Sequence, residues 1–169
     1  WVEACFSGIQ NVPIARILKD AFDIPIYIDN DVNNCALAEK LYGCCRDNTN
    51  FAWLTISNGC GGALYLNDSL YTGTSGSAGE FGHINVVAHG GNICGCGNNG
   101  CLEAQASGQG IVKNYTALGG DTHYQGRVIT AKNIAALAKT GDLVAVKTYQ
   151  MEGDYVGKAC AAIINIINP

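Results

Sequence analysis

An α/β fold, with helices laid on a mixed sheet, follows from three observations. Apolar residues recur at helical spacing over residues 13–22, 131–139 and 142–167. Between them, residues 51–57 (FAWLTIS) and 63–66 read as strands separated by a glycine-rich turn. Hydrophobic residues make up 48% of the chain and charged ones only 14%, a balance that marks a folded globular chain and not a disordered one. The 169 residues suffice for one or two compact domains.

Taken in order, residues 1–10 carry little signal. A helix is predicted over residues 13–22, where Ile14, Ile17, Leu18 and Ala21 share a face and Pro13 suits a first turn. Residues 24–28 read as a short strand, ended by Asp29-Asn30-Asp31. A helix follows from Val32 to about Gly43. Asp near a helix start is a routine cap, yet an Asn-Asp pair at a strand-to-helix junction also sits where α/β folds hold ligands. Both readings stand for Asp29 and Asp31.

Residues 44–50 form a polar turn. The strand at 51–57 runs into Asn58-Gly59-Cys60-Gly61-Gly62, then the strand at 63–66, a turn at Asn67-Asp68 and a short strand at 70–72, as a meander. Gly59, Gly61 and Gly62 serve either a tight hairpin or the approach of backbone N–H groups to a phosphate. Residues 72–79 are small and predict a flexible loop; residues 119–127 are polar and predict a mobile one. Thr130 caps the helix at 131–139, and Asp142 caps the one running to about 167. Residues 159–167 are apolar nearly all round, which predicts burial against a sheet. Gly153 and Gly157 weaken that helix and predict close packing or a break.

Net charge is −4, with no basic cluster that would contact nucleic acid. No apolar run reaches membrane-spanning length, and no signal-peptide pattern opens the chain. Nine cysteines, an odd number, favour a reducing cytoplasm over a disulfide framework. Cys5, Cys35, Cys60, Cys160 and the doublet Cys44-Cys45 read as small apolar residues.

The densest chemistry lies in residues 79–103, GEFGHINVVAHGGNICGCGNNGCLE. Cys94, Cys96 and Cys101 read C-x-C-x4-C on a glycine-rich knuckle that can turn three thiolates toward one point. His83 is the natural fourth ligand, and a Cys3His set suits a closed, structural Zn2+ site. The competing readings are three buried thiols or a disulfide, for which C-x-C is short. Glu80 and Glu103 bracket the knuckle. A metal fixing His83 and Cys101 would position both around a small ligand; otherwise they are ordinary surface acids.

G-E-F-G-H followed by C-x-C-G-x-x-G-C-x-E resembles the signature of the ROK family, bacterial sugar kinases and sugar-responsive repressors built on one body. The resemblance runs from about Asn11 to Pro169. It implies the C-terminal lobe of an actin-like, hexokinase-type fold. The run N-D-V-N-N-C-A-L-A-E resembles the family's N-D-x-N motif, which makes Asp31 the general base and Asn30 a holder of sugar hydroxyls, with Glu80, His83 and Glu103. His83 would serve zinc with one ring nitrogen and sugar with the other. Ser57–Ala63 resembles the family's G-T-G-x-G-x-G phosphate segment for ATP with Mg2+, implicating Asn58, Gly59 and Gly61; Asn58 replaces the usual Thr. Ala104–Gly108 resembles E-x-x-A-S-G, which starts a helix.

The family further implies a homo-oligomer, a sugar and ATP as partners, and nucleic-acid contact only through a separate domain. The family's upstream Asp-Gly-Gly-Thr phosphate segment and its C-terminal Gly-Gly adenosine segment are not among these residues. The chain, which opens at Trp1 and ends at Pro169, is therefore expected to be a partial kinase body, inactive alone. A sugar kinase is the leading expectation and the sensing body of a sugar-responsive repressor the second. A purely structural zinc module would leave Asn30-Asp31 unexplained.

Overall fold

The computed structural model describes residues 2–4 and 9–169. β1 (Val2–Ala4) pairs antiparallel with β2 (Ile9–Val12). α1 (Ile14–Ala21) starts directly after Pro13, as its pattern predicts, and buries none of its residues. The strand expected at 24–28 does not form. The segment joins no ladder among the described residues, and Ile24, Tyr27 and Ile28 stay exposed. Apolar alternation supplies strand propensity, but a strand also needs an adjacent edge to satisfy its backbone.

α2 (Asp31–Tyr42) is capped by neither aspartate. Asn30 is the cap, its side-chain oxygen accepting the Val32 N–H at 2.8 Å. Asp29 instead accepts the Asn30 N–H at 2.7 Å and the Asn33 side-chain amide at 2.9 Å.

β3 (Phe51–Ile56), β4 (Cys60–Leu66) and β5 (Ser69–Tyr71) form an antiparallel sheet in that order. The mixed sheet expected from the sequence is therefore antiparallel among the described residues. The links explain this: three residues join β3 to β4 and two join β4 to β5, spans that only antiparallel neighbours can bridge. Asn67 and Asp68 make the second link with φ of 52° and 59°, the left-handed pair a two-residue hairpin needs.

Strand alternation sends Phe51, Ala63 and Tyr65 to one face, where they pack on Ala36 of α2. Leu54, Ile56 and Cys60 point to the other. There they meet Leu102 and Ala106 of α3 (Leu102–Ala106) and Ala159 of α6 (Leu143–Ile167). The helix–sheet–helix layering of an α/β fold thus stands. A second core joins α4 (Gly108–Ala117), α5 (Ala131–Lys139) and α6 through Ile111, Tyr115, Ile134 and Ala145. Thr130 and Asp142 cap α5 and α6 as predicted.

Three expectations change. Residues 119–127 are not simply loop: β6 (His123–Tyr124) and β7 (Arg127–Val128) form a small hairpin around Gln125-Gly126. α6 runs unbroken through Gly153 and Gly157, where an added Cβ would meet nothing within 4 Å. Its last turns bury only a stripe: Ala159 and Ile163 are covered, while Ile166 is 80% exposed, because one sheet offers a helix one face. Of the cysteines read as apolar, Cys60 is buried, Cys45 and Cys160 are half-buried, and Cys35 and Cys44 are exposed. Cys5 lies outside the described residues. Among the described residues no helix is long and apolar enough to cross a membrane.

Candidate functional site

Two close backbone approaches bring the site together. The turn at Phe81–His83 lies against the start of β4, and Gly82 is the contact point: a Cβ there would collide with the Cys60 carbonyl oxygen. In the knuckle, Gly100 has φ of 79°, and a Cβ would collide with the Val87 carbonyl oxygen. Side chains at either place would push the segments apart. The Gly100 carbonyl accepts the Val86 N–H at 2.8 Å, and Leu102 N–H donates to Ile84 O at 2.8 Å, which clamps the knuckle beside His83.

The ligand atoms of His83, Cys94, Cys96 and Cys101 all lie within 4.8 Å of one another. Cys96 and Cys101 sulfurs are 3.7 Å apart, as are the Cys94 sulfur and His83 Nδ1. Zn–S bonds of about 2.3 Å in a tetrahedron give edges of about 3.8 Å. The donor set and its spacing therefore fit a tetrahedral metal. The three cysteines are free, which removes the disulfide reading. Burial pushes the Cys101 thiol up to about 12, whereas the Asn98 backbone holds Cys96 below the usual thiol range.

His83 faces two ways. Nδ1 points to the cysteines, while Nε2 lies 4.0 Å from Glu80 Oε2. Glu80 lines a small cleft of about 50 Å³ with Asn30, Asn33, Gly61 and Gly62. Asn30, Glu80 and Gly61, three residues marked from the sequence, are thus neighbours around one space. Asp31 does not line it; the side chain is exposed on the first turn of α2 and accepts the Val32 N–H at 3.0 Å.

Glu103 lies elsewhere as well. Its Oε2 accepts the Cys60 N–H at 3.0 Å, tying α3 to the glycine loop, and it borders a second cleft with Asn58 and Cys94. Asn58 also opens on a cavity of about 570 Å³ lined by Gly108, Lys113, Ile129, Thr130 and Lys132. Gly108 N–H donates to Ser57 O at 2.8 Å, fixing the start of α4 against the loop. Burial and the charges of Glu103 and Glu152 push the Cys60 thiol up to about 12, so it stays a protonated core residue.

Sequence reasoning missed the amides that hold the knuckle. The Asn92 side chain donates to Ala104 O at 3.0 Å and to Asn114 Oδ1 at 2.9 Å, and Asn114 donates to Gln105 O at 3.0 Å. Gln105 is only 2% exposed. A glutamine inside the apolar-flanked run Leu102–Ala106 was the one available signal.

Comparison with known proteins agrees with this arrangement. The chain is 34% identical to a glucokinase of Halalkalibacterium halodurans over 96% of its own length and 52% of that protein's. It is 31% identical to a xylose repressor of Bacillus spizizenii over 96% of its length and 40% of the repressor's. It therefore spans about half or less of the curated relatives it matches. A crystal structure of a ROK hexokinase from Thermus thermophilus superposes with a TM-score of 0.83 at 34% identity, covering 95% of this chain and 53% of that one. The α/β fold is accordingly that of the ROK hexokinases. The ROK family model matches residues 3–169, reaching further upstream than the Asn11 at which the motifs begin, and the chain belongs to the ROK family.

Proposed function

We propose that the full-length protein is a cytoplasmic, homo-oligomeric sugar kinase that transfers the γ-phosphoryl group of ATP to a hexose or an N-acetylhexosamine. One observation carries this reading. The loop after β3 and the start of β4 border two spaces at once: Gly61 shares a cleft with Asn30 and Glu80, and Asn58 opens on the 570 Å³ cavity. A sugar in the first and a nucleotide in the second would meet at one glycine-rich turn, as phosphoryl transfer requires. The larger space is of ordinary ligand size, and Lys113 and Lys132 supply positive charge beside it.

In this reading Asn30 and Glu80 hold sugar hydroxyls in the first cleft, with His83 beside Glu80, and Glu103 does so from the second cleft across the loop. Asp31 accepts the proton of the attacking sugar hydroxyl; the hydroxyl oxygen bonds to the γ-phosphorus, the bond from that phosphorus to the β–γ bridging oxygen breaks, and ADP leaves. Among the described residues the Asp31 carboxylate accepts one hydrogen bond, from Val32 N–H, so it keeps an oxygen for that proton. Asn58, Gly59 and Gly61 cradle the phosphates, which bring Mg2+ with them. His83, Cys94, Cys96 and Cys101 would hold Zn2+ as a structural ion, and His83 fixed in that set would stay beside Glu80.

A sugar-sensing repressor body is the second reading, favoured by Asn58 standing where the family's phosphate loop has Thr. It would keep the sugar and zinc sites and contact DNA through a separate domain. A coupled assay of ATP-dependent phosphorylation across hexoses and N-acetylhexosamines, on the full-length protein, separates the two. Turnover on one sugar, reduced at least about 100-fold in Asp31→Asn with sugar binding kept, is the expected result. No turnover on any sugar, with a sugar still raising Tm, gives the sensor reading.

A further inference from the structure

We propose that Glu39, Cys44 and Cys45 form a second cation site, apart from the knuckle, for a thiophilic divalent ion such as Zn2+. One ligand atom from each of the three residues lies within 4.8 Å of the others. The Cys44 sulfur is 3.3 Å from Glu39 Oε2 and 3.9 Å from the Cys45 sulfur. Tetrahedral zinc predicts edges of about 3.6 Å for sulfur–oxygen and about 3.8 Å for sulfur–sulfur. Both edges from the Cys44 sulfur are therefore within a few tenths of an ångström of those a tetrahedral zinc would need.

The backbone is shaped to hold Glu39 there. Its carboxylate folds back over the end of α2, where Oε2 accepts the Cys44 N–H at 3.0 Å. Gly43 makes room, since a Cβ at that position would collide with the Glu39 carboxylate. The C-terminal end of a helix is its negative end, an unfavourable place for a carboxylate and a favourable one for a cation. The adjacent lysine does not relieve this. Lys40 is engaged by Asp68 Oδ1 at 2.8 Å and by the Asn48 carbonyl at 2.9 Å. Among the described residues Glu39 has no ion-pair partner.

Each sulfur has a distinct setting. Cys45 is half-buried against the α2–sheet core, whereas Cys44 is exposed. On binding, each thiol gives its proton to solvent and the ion takes two thiolates and one carboxylate oxygen. The fourth position faces water, the three-ligand pattern of zinc sites that keep an exchangeable place. Two thiolates select zinc-like ions over Mg2+ and Ca2+.

The test uses full-length protein, reduced and stripped of metal, titrated with Cd2+ while its thiolate charge-transfer absorbance is followed. Zn2+ content after gel filtration is measured in parallel. The quantity read is the difference between variants, so it does not depend on what the knuckle binds. Cys44→Ser/Cys45→Ser is expected to hold one ion fewer per chain than wild type, and Cys96→Ser to retain the ion on the doublet. Glu39→Gln should weaken that ion at least about tenfold and leave the thiol count unchanged. Equal ion content in wild type and the doublet variant would overturn the proposal. So would an ion lost from the doublet whenever Cys96 is replaced.

Discussion

Glu152 is a carboxylate whose environment opposes its charge. It sits on α6, beside Ser57 and Asn58, with Oε2 buried and unpartnered among the described residues. Burial raises its pKa above the usual carboxylate value of 4.5. Below pH 4.5 the folded and unfolded states both carry the proton, and Glu152 sets no difference between them. As pH rises from there through the raised folded value, the unfolded state ionises first, and stability falls. Above that value the loss is constant. Glu152→Gln should therefore raise Tm at pH 8 and leave it nearly unchanged at pH 4, measured by thermal denaturation at both. A lower Tm for the variant at pH 8 would mean that the carboxylate finds a partner in solution. Nothing in the sequence marked this position, because its burial comes from packing against a loop some 90 residues away. The opposite holds at Asn30, where residue type alone showed a helix start. Sequence could not say which of three adjacent polar residues would cap, since all three types can. The structure gives the cap to Asn30 and turns Asp29 to support it.

Among the elements, the Cys/His cluster of the knuckle was the most legible, because its four candidate ligands lie within one stretch of chain and their donor chemistry suits few metals. Its supports were not, since Asn92 and Asn114 are ordinary polar residues until folding brings them together. The same contrast explains the missing strand at 24–28: local pattern registers propensity, and ladder pairing is decided elsewhere. Two substitutions test the knuckle as a positioning element. Cys96→Ser should release the bound metal and weaken sugar affinity at least about tenfold, by elemental analysis and calorimetry on the full-length protein. Metal loss with unchanged sugar affinity would deny it that role. Gly82→Ala forces a Cβ against the Cys60 carbonyl and should cost about 1–3 kcal/mol of stability in chemical denaturation. It should also weaken sugar binding, since His83 and Glu80 are carried on the same turn.

At the scale of the molecule, the β3–β4 loop connects the parts of the proposed sugar and nucleotide sites. It is tied to α3 through Glu103, to α4 through Gly108, and to the His83 turn through Gly82. The layering was legible from the chain, since helical and strand periods alternate along it. The division of labour around the loop was not: sequence grouped Glu80 and Glu103 as a pair, yet they line different clefts on either side of it. Asn58 is where kinase and sensor part. A threonine hydroxyl in its place would offer the phosphates a short donor, worth about 0.5–1.5 kcal/mol, or about two- to twelvefold in rate. If the protein is a kinase restrained by this residue, Asn58→Thr should raise kcat/KM for ATP by that factor and leave the sugar KM unchanged. That split is informative because Asn58 borders the 570 Å³ cavity proposed for the nucleotide and does not line the Asn30–Glu80 cleft. A fall in turnover would show instead that the asparagine amide is itself the phosphate donor. If wild type and Asn58→Thr are both inactive while a sugar raises Tm in each, the loop does not handle ATP at all. Sugar affinity would then be the output that matters, and it should change when the same protein binds DNA.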